Sequence, residues 1–181
     1  LPIGEELLLM NQFLEKKIIL EFTGEINCIE TGKKIKKTYG QGFGYESFIK
    51  LACCDVCIVK PELCHFDKGT CREPDWGLRN CFKPHVIYLS DTSSVKVGIT
   101  RESQVPTRWI DQGATRAIPI ASVENRLLSG QIEVELKSLF NDKTNWRNML
   151  KGISCEDNLE ELKEQVFEDF GDLFDDLGAE E

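Results

Sequence analysis

The 181-residue chain is 41% hydrophobic and 29% charged, yet no apolar run approaches the roughly 20 residues that cross a bilayer, which excludes a membrane-spanning helix. Its net charge of −9 would ordinarily argue against a nucleic-acid partner. That average hides two regions: residues 156–181 hold twelve acids against one lysine, leaving 19 acids against 21 bases in residues 1–155, a mildly basic body of plus two.

The first element in chain order is β. In LEKKIILEFTGEINC, apolar and polar residues alternate at Ile18, Leu20 and Phe22, and Ile26 follows a TGE turn, so residues 1–52 are expected to be a β segment with a short hairpin. Lys33, Lys34, Lys36 and Lys37 then precede Tyr39, Phe43, Tyr45 and Phe48 with three glycines between. Bases interleaved with aromatics can grip phosphates and stack bases, and an exposed hairpin with a few core aromatics has the same composition.

Residues 53–84 are the densest chemistry in the chain. Cys54 to Cys81 reads CDVCIVKPELCHFDKGTCREPDWGLRNC, five cysteines and one histidine in 28 residues. The remaining three cysteines are Cys28, Cys53 and Cys155. Such bunching is the pattern of soft-metal ligands more than of a disulfide framework, and with no charged-then-apolar leader the chain is expected in a reducing cytoplasm. The CxxC at Cys54 and Cys57 lets two thiolates approach one ion from a tight turn, and Cys64, Cys71 and Cys81 supply the rest of a tetrahedron. Zinc in a structural role is the first expectation. An iron-sulfur cluster takes the same four thiolates, and His65 or His85 can stand in for one cysteine. Buried thiols in a reducing cytosol are the plain alternative.

Residues 85–152 read as an α/β unit. HVIYLS and VKVGIT are β-branched strands joined by the polar turn DTSS, with Tyr88 on the first, Lys96 on the second, and Gly98 allowing close backbone approach. ESQVPTRWIDQGA is a predicted helix carrying Arg108, Trp109, Asp111 and Gln112, in which Asp111 can pair with Arg108 or Arg116. AIPIAS is a predicted short strand. SVENRLLSGQIEVELKSLF is a predicted helix carrying Glu133, with Gly130 as a break.

Residues 153–181 form an acidic tail or linker in which Leu162, Val166, Phe167, Phe170, Leu173 and Phe174 fall near helical spacing. The expected amphipathic helix either docks on a protein partner or missing C-terminal domain, or covers a basic groove as a nucleic-acid mimic. The whole is expected to be α+β: an N-terminal β segment, a metal-bound loop region, an α/β core and an acidic helical tail.

A β-hairpin ending in glycine, an arginine on the next helix and a glutamate on a later one resemble the GIY-YIG nuclease core. The resemblance places its two signatures on residues 86–88 and 96–98, its arginine on Arg108 and its glutamate on Glu133, with a trailing Asn145 and Glu124 as the competing carboxylate. The strings CDVCIVKPELCH, GTCREPDWG, KVGITR, RWIDQGA and TNWRNML are similar to an uncharacterised bacterial family, domain of unknown function 2797, over roughly residues 9–152. Members of that family carry four further candidate ligands upstream, where this chain has Cys28, Thr31, Gly44 and Ser47. They also extend past its C-terminus, so the chain, which starts at Leu1, is expected to be a fragment.

The nuclease resemblance implies catalytic roles for Tyr88, Lys96, Arg108 and Glu133. Glu133 would hold Mg²⁺, Arg108 would neutralise the scissile phosphate, and Tyr88 would position or deprotonate the nucleophile. Lys96, Arg101, Arg108 and Gln112 would bind DNA or RNA. Lys96 stands where the nuclease usually has a tyrosine, and with a reference pKa near 10.4 it suits phosphate binding better than base catalysis. The second expectation is therefore a zinc-supported module that binds nucleic acid or protein without cleaving.

Overall fold

The computed structural model describes residues 1–3, 6–140 and 145–181. Two compact units divide the chain, Leu1–Ser47 and Phe48–Glu181.

The first unit is only sparsely β. Strands β1 (Pro2–Ile3) and β2 (Glu6–Leu7) pair antiparallel, and isolated bridges join Asn27 to Lys34 and Tyr39 to Phe43. The hairpin expected at residues 18–26 is not formed. Its alternating apolar residues have no face to bury against, and Leu20 and Phe22 are 88% and 72% exposed. Alternation specifies a strand only when one side is covered. The chain reverses one step later, where Ile35 N–H donates to Ile26 O and Cys28 N–H to Lys33 O. Cys28 is the buried residue of this turn, with its Sγ 3.5 Å from Ser47 Oγ. The lysines and aromatics beyond it form local contacts: Lys34 pairs with Glu25 at 2.7 Å, and Lys37 lies over the Tyr39 ring at 4.9 Å.

The boundary at Ser47 falls within α1 (Tyr45–Lys50), and the second unit is mixed α+β. Its sheet has β3 (His85–Asp91) at the centre, flanked antiparallel by β4 (Val95–Arg101) and β5 (Arg116–Val123). The register sets Tyr88 opposite Gly98 and Ser90 opposite Lys96. Period-two alternation then gives the faces different jobs. Ile87, Leu89, Val95 and Val97 enter the core, while Tyr88, Lys96 and Gly98 share the opposite side.

Two helices complete the core. α4 (Arg126–Leu136) is capped by Asn125, whose side chain accepts from Leu128 N–H, and buries Ile132 and Leu136. Gly130 does not break this helix. A Cβ there would lie 2.5 Å from Pro61 Cβ and 2.7 Å from Glu62 N, so glycine admits the incoming cysteine loop. α6 (Leu159–Asp176) buries Leu159, Val166 and Phe174 in the same core. The acidic segment is thus no detached tail. Glu180 and Ser122 exchange backbone hydrogen bonds beyond it, at 2.6 and 2.8 Å, so the acids decorate the outside of a helix whose apolar face closes the sheet.

Residues 52–83 are built of three 3₁₀ turns (Ala52–Cys54, Val56–Ile58 and Pro61–Leu63) and α2 (Pro74–Asn80). The predicted helix over residues 102–114 is shorter than expected, a 3₁₀ turn Glu102–Gln104 and then α3 (Thr107–Asp111). Pro106 cannot continue a backbone ladder through it. α5 (Trp146–Leu150) is capped by Asn145, whose side chain accepts from Asn148 N–H. Among the described residues no helix is long and apolar enough to cross a membrane.

Candidate functional site

Chemistry gathers at two adjoining places in the second unit. The first is an open cleft of about 370 Å³ beside β4, lined among others by Lys96, Arg101, Arg108, Gln112, Arg126 and Glu133. β4 supplies Lys96 and Arg101, α3 supplies Arg108 with Gln112 at its end, and α4 supplies Arg126 and Glu133. Tyr88, fully buried on β3, reaches the same place through its hydroxyl, which donates to Gln112 Oε1 at 2.9 Å. Gly98 makes that possible. A Cβ there would sit 2.7 Å from the Tyr88 hydroxyl, so the ring lies across bare backbone, with Trp109 on its other flank at 5.7 Å.

The electrostatics of the cleft are mixed. Burial pushes the Tyr88 hydroxyl above its ordinary pKa; the Arg108 charge pulls it down and the Glu133 charge raises it. The hydroxyl therefore stays protonated at neutral pH and acts as a donor. Glu133 is only 15% exposed and lies 3.6 Å from Lys137 Nζ, while Lys96 is 5% exposed. Four cations line the cleft against one carboxylate, a balance suited to a polyanion.

The other sequence candidates fall elsewhere. Glu124 is exposed in a separate shallow pocket with Pro84 and Glu180. Asn145 caps α5, and its carbonyl accepts from Ser93 Oγ. Arg116 pairs with neither Asp111 nor the cleft. Its guanidinium reaches the buried Asp91 carboxylate at 3.3 Å, because β5 runs beside the end of β3. Residues 141–144, part of the segment compared with the end of the nuclease core, lie outside the described residues.

Sequence reasoning missed Arg126. It follows the helix cap and reads as an ordinary first-turn residue, but its Nη2 donates to Ile58 O at 2.6 Å and its backbone N–H to Cys81 O at 2.9 Å. It stands between the cleft and the cysteines.

The second place is a void of about 20 Å³ within the cysteine loop, lined by Cys57, Cys64, Cys71 and Cys81 together with Asp55, His65 and Arg72. Gly77 of α2 packs 3.2 Å from the Phe66 ring and 3.5 Å from Cys71 Sγ as measured from an added Cβ, so glycine keeps α2 close to the void. The donor atoms of Asp55, Cys57 and His65 lie within 4.8 Å of one another, a spacing compatible with a metal ion. Cys54, the first half of the CxxC, does not line the void; its Sγ is 3.9 Å from Cys53 Sγ. His85 is fully buried in the sheet, with Nδ1 on Lys83 O at 2.7 Å, and does not line the void either.

The Cys57 thiol is pushed up to about 11, first by burial and then by the charges of Asp55, Cys64, Cys81 and Cys71. The Cys57 thiol in that surrounding stays protonated unless a cation replaces the proton, as a soft metal does.

No curated protein and no solved structure matches the chain. A family model, described as "Protein of unknown function (DUF2797)", matches residues 15–180, and with nearly its whole length covered the chain belongs to that family.

Proposed function

We propose that the protein acts on DNA or RNA phosphodiesters through the cleft beside β4, and that a zinc ion in the cysteine loop supports it structurally. The observation that carries the reading is convergence. Lys96, Arg101, Arg108, Gln112 and Glu133, scattered over 38 residues of sequence, line one cleft, with the Tyr88 hydroxyl hydrogen-bonded at its edge. That arrangement fits a GIY-YIG-type nuclease, in which a tyrosine, a helical arginine and a carboxylate face one phosphate.

In this reading Arg101 holds the flanking backbone, and Arg108 neutralises the scissile phosphoryl oxygens as charge grows on them. The protonated Tyr88 hydroxyl, oriented by Gln112, positions the attacking water by hydrogen bonding. Lys96 binds phosphate. Mg²⁺ held by Glu133 would supply additional positive charge at the phosphoryl group.

The excess of cations, and a lysine where the nuclease has a tyrosine, favour a second reading, a module that binds nucleic acid without cutting it. Incubation with Mg²⁺ and mixed DNA and RNA substrates separates the two. The nuclease reading expects cleavage that Arg108→Ala and Glu133→Gln each reduce by 10²-fold or more, about the effect of removing one charge-stabilising group. Intact substrates with salt-dependent binding leave only the second reading. No salt-dependent binding removes both.

A further inference from the structure

Building on the proposal that the cysteine loop holds a structural ion, we infer that its ligands are the four thiolates of Cys57, Cys64, Cys71 and Cys81, that Asp55 and His65 lie outside the coordination shell, and that Arg126 is its charge partner.

The lining of the void picks out a set of sulfurs. About 20 Å³ is room for a single small sphere, and these four cysteines all line it. Cys28, Cys53, Cys54 and Cys155 do not. The void also unites residues of three different local structures: Cys57 on the second 3₁₀ turn, Cys64 at the end of the third, Cys71 before α2 and Cys81 at its end. Their intervals of six, six and nine residues leave enough chain for each loop to fold back on one ion.

The competing set is Asp55, Cys57 and His65, whose donor atoms already lie within 4.8 Å of one another. Two of the three are engaged otherwise. Asp55 Oδ2 accepts from Arg72 Nε at 2.7 Å and lies 3.4 Å from His65 Nε2. His65 Nδ1 meets Thr70 Oγ1 at 2.8 Å. Arg72 is itself fixed, with Nη1 donating to Phe48 O and Leu51 O. The Asp55, His65 and Arg72 chain is thus a finished hydrogen-bonded brace against one wall of the void. The four sulfurs do not lie as close to one another as those three donor atoms, and a soft cation, which prefers thiolate to carboxylate, draws them in around it.

Charge completes the argument. A divalent ion with four thiolates carries about −2, and buried charge needs an opposite partner. Arg126 answers it. Its side chain donates to Ile58 O, one residue past Cys57, and its backbone N–H donates to Cys81 O, which hold it against the loop.

Replacing the native ion with Co²⁺ in the full chain reads the donor set directly, because thiolate-to-cobalt charge-transfer absorption grows with the number of bound sulfurs. One equivalent of Co²⁺ with a tetrahedral visible spectrum is expected. Cys57→Ser, Cys64→Ser, Cys71→Ser and Cys81→Ser should each remove about a quarter of the charge-transfer intensity or abolish binding, one thiolate in four. Cys54→Ser, Asp55→Asn and His65→Ala should leave spectrum and stoichiometry unchanged, and these variants keep the test informative if a ligand variant fails to fold. Loss of intensity or a shifted spectrum in any of those three overturns the four-thiolate assignment while the metal reading stands. A chain that takes up neither Co²⁺ nor Zn²⁺ overturns both.

Discussion

Gly98 and Tyr88 show how one missing methyl group can shape a site. The glycine faces the Tyr88 ring across the β3–β4 register, and an added Cβ would meet the ring at 2.7 Å. Gly98→Ala must move a fully buried aromatic residue. The expected cost is about 1–3 kcal/mol, the usual penalty of overpacking, measured by urea unfolding. The Tyr88 bond to Gln112 should be lost as well, which a change in tyrosine fluorescence or ultraviolet titration would report. His85 gives a pH signature. Burial holds its folded pKa below the ordinary value, the Lys83 carbonyl opposes that, and the charges of Arg126 on α4 and Arg101 on β4 lower it further. As pH falls through about 6.5 the unfolded chain takes up a proton that the folded chain refuses, so stability drops on the acid side and is unaffected above it. His85→Asn, which keeps a donor for Lys83 O, should flatten the difference in unfolding free energy between pH 7.5 and pH 5.5. An unchanged slope would rule out His85 as its source.

At the scale of elements, α6 is the instructive case. Its sequence is strongly acidic with apolar residues near helical spacing, and Leu159, Val166 and Phe174 are buried in the core while Phe167 packs on Phe174 at 5.2 Å. Phe174→Ala should cost about 3–5 kcal/mol, as for other buried aromatics, and a cost under 1 kcal/mol in thermal or urea unfolding would show that the helix is dispensable. The strands and helices with strong internal periods were readable without any structure. HVIYLS and VKVGIT became β3 and β4, AIPIAS lies within β5, and the apolar positions near helical spacing became α4 and α6. Residues 18–26 were misread for the converse reason. Their alternation is genuine, but no partner surface in their own unit covers it, so no ladder forms.

For the whole molecule, the cysteine loop and the cleft are one construction. Ile58, Val59 and Pro61 belong to the loop and line the cleft, Pro61 seats on Gly130 of α4, and Arg126 ties Ile58 to the helix that carries Glu133. Stripping the proposed ion with a strong chelator should therefore lower Tm by several degrees and also weaken nucleic-acid binding at fixed ionic strength. If binding is untouched while Tm falls, the loop supports only stability.

By itself the sequence determined the local grammar: a β-hairpin over residues 85–100, helices within residues 122–140 and 153–181, and a loop dense in cysteines. Those follow from interactions between residues near one another in the chain. Which thiols share a void, why Glu133 and not Glu124 faces Arg108, where the acidic helix docks, and that Arg126 links both sites were decided by tertiary packing. The reason is physical. Each depends on contacts between segments far apart in sequence, whose closure is selected by burial of the common core, and no spacing along the chain encodes that choice.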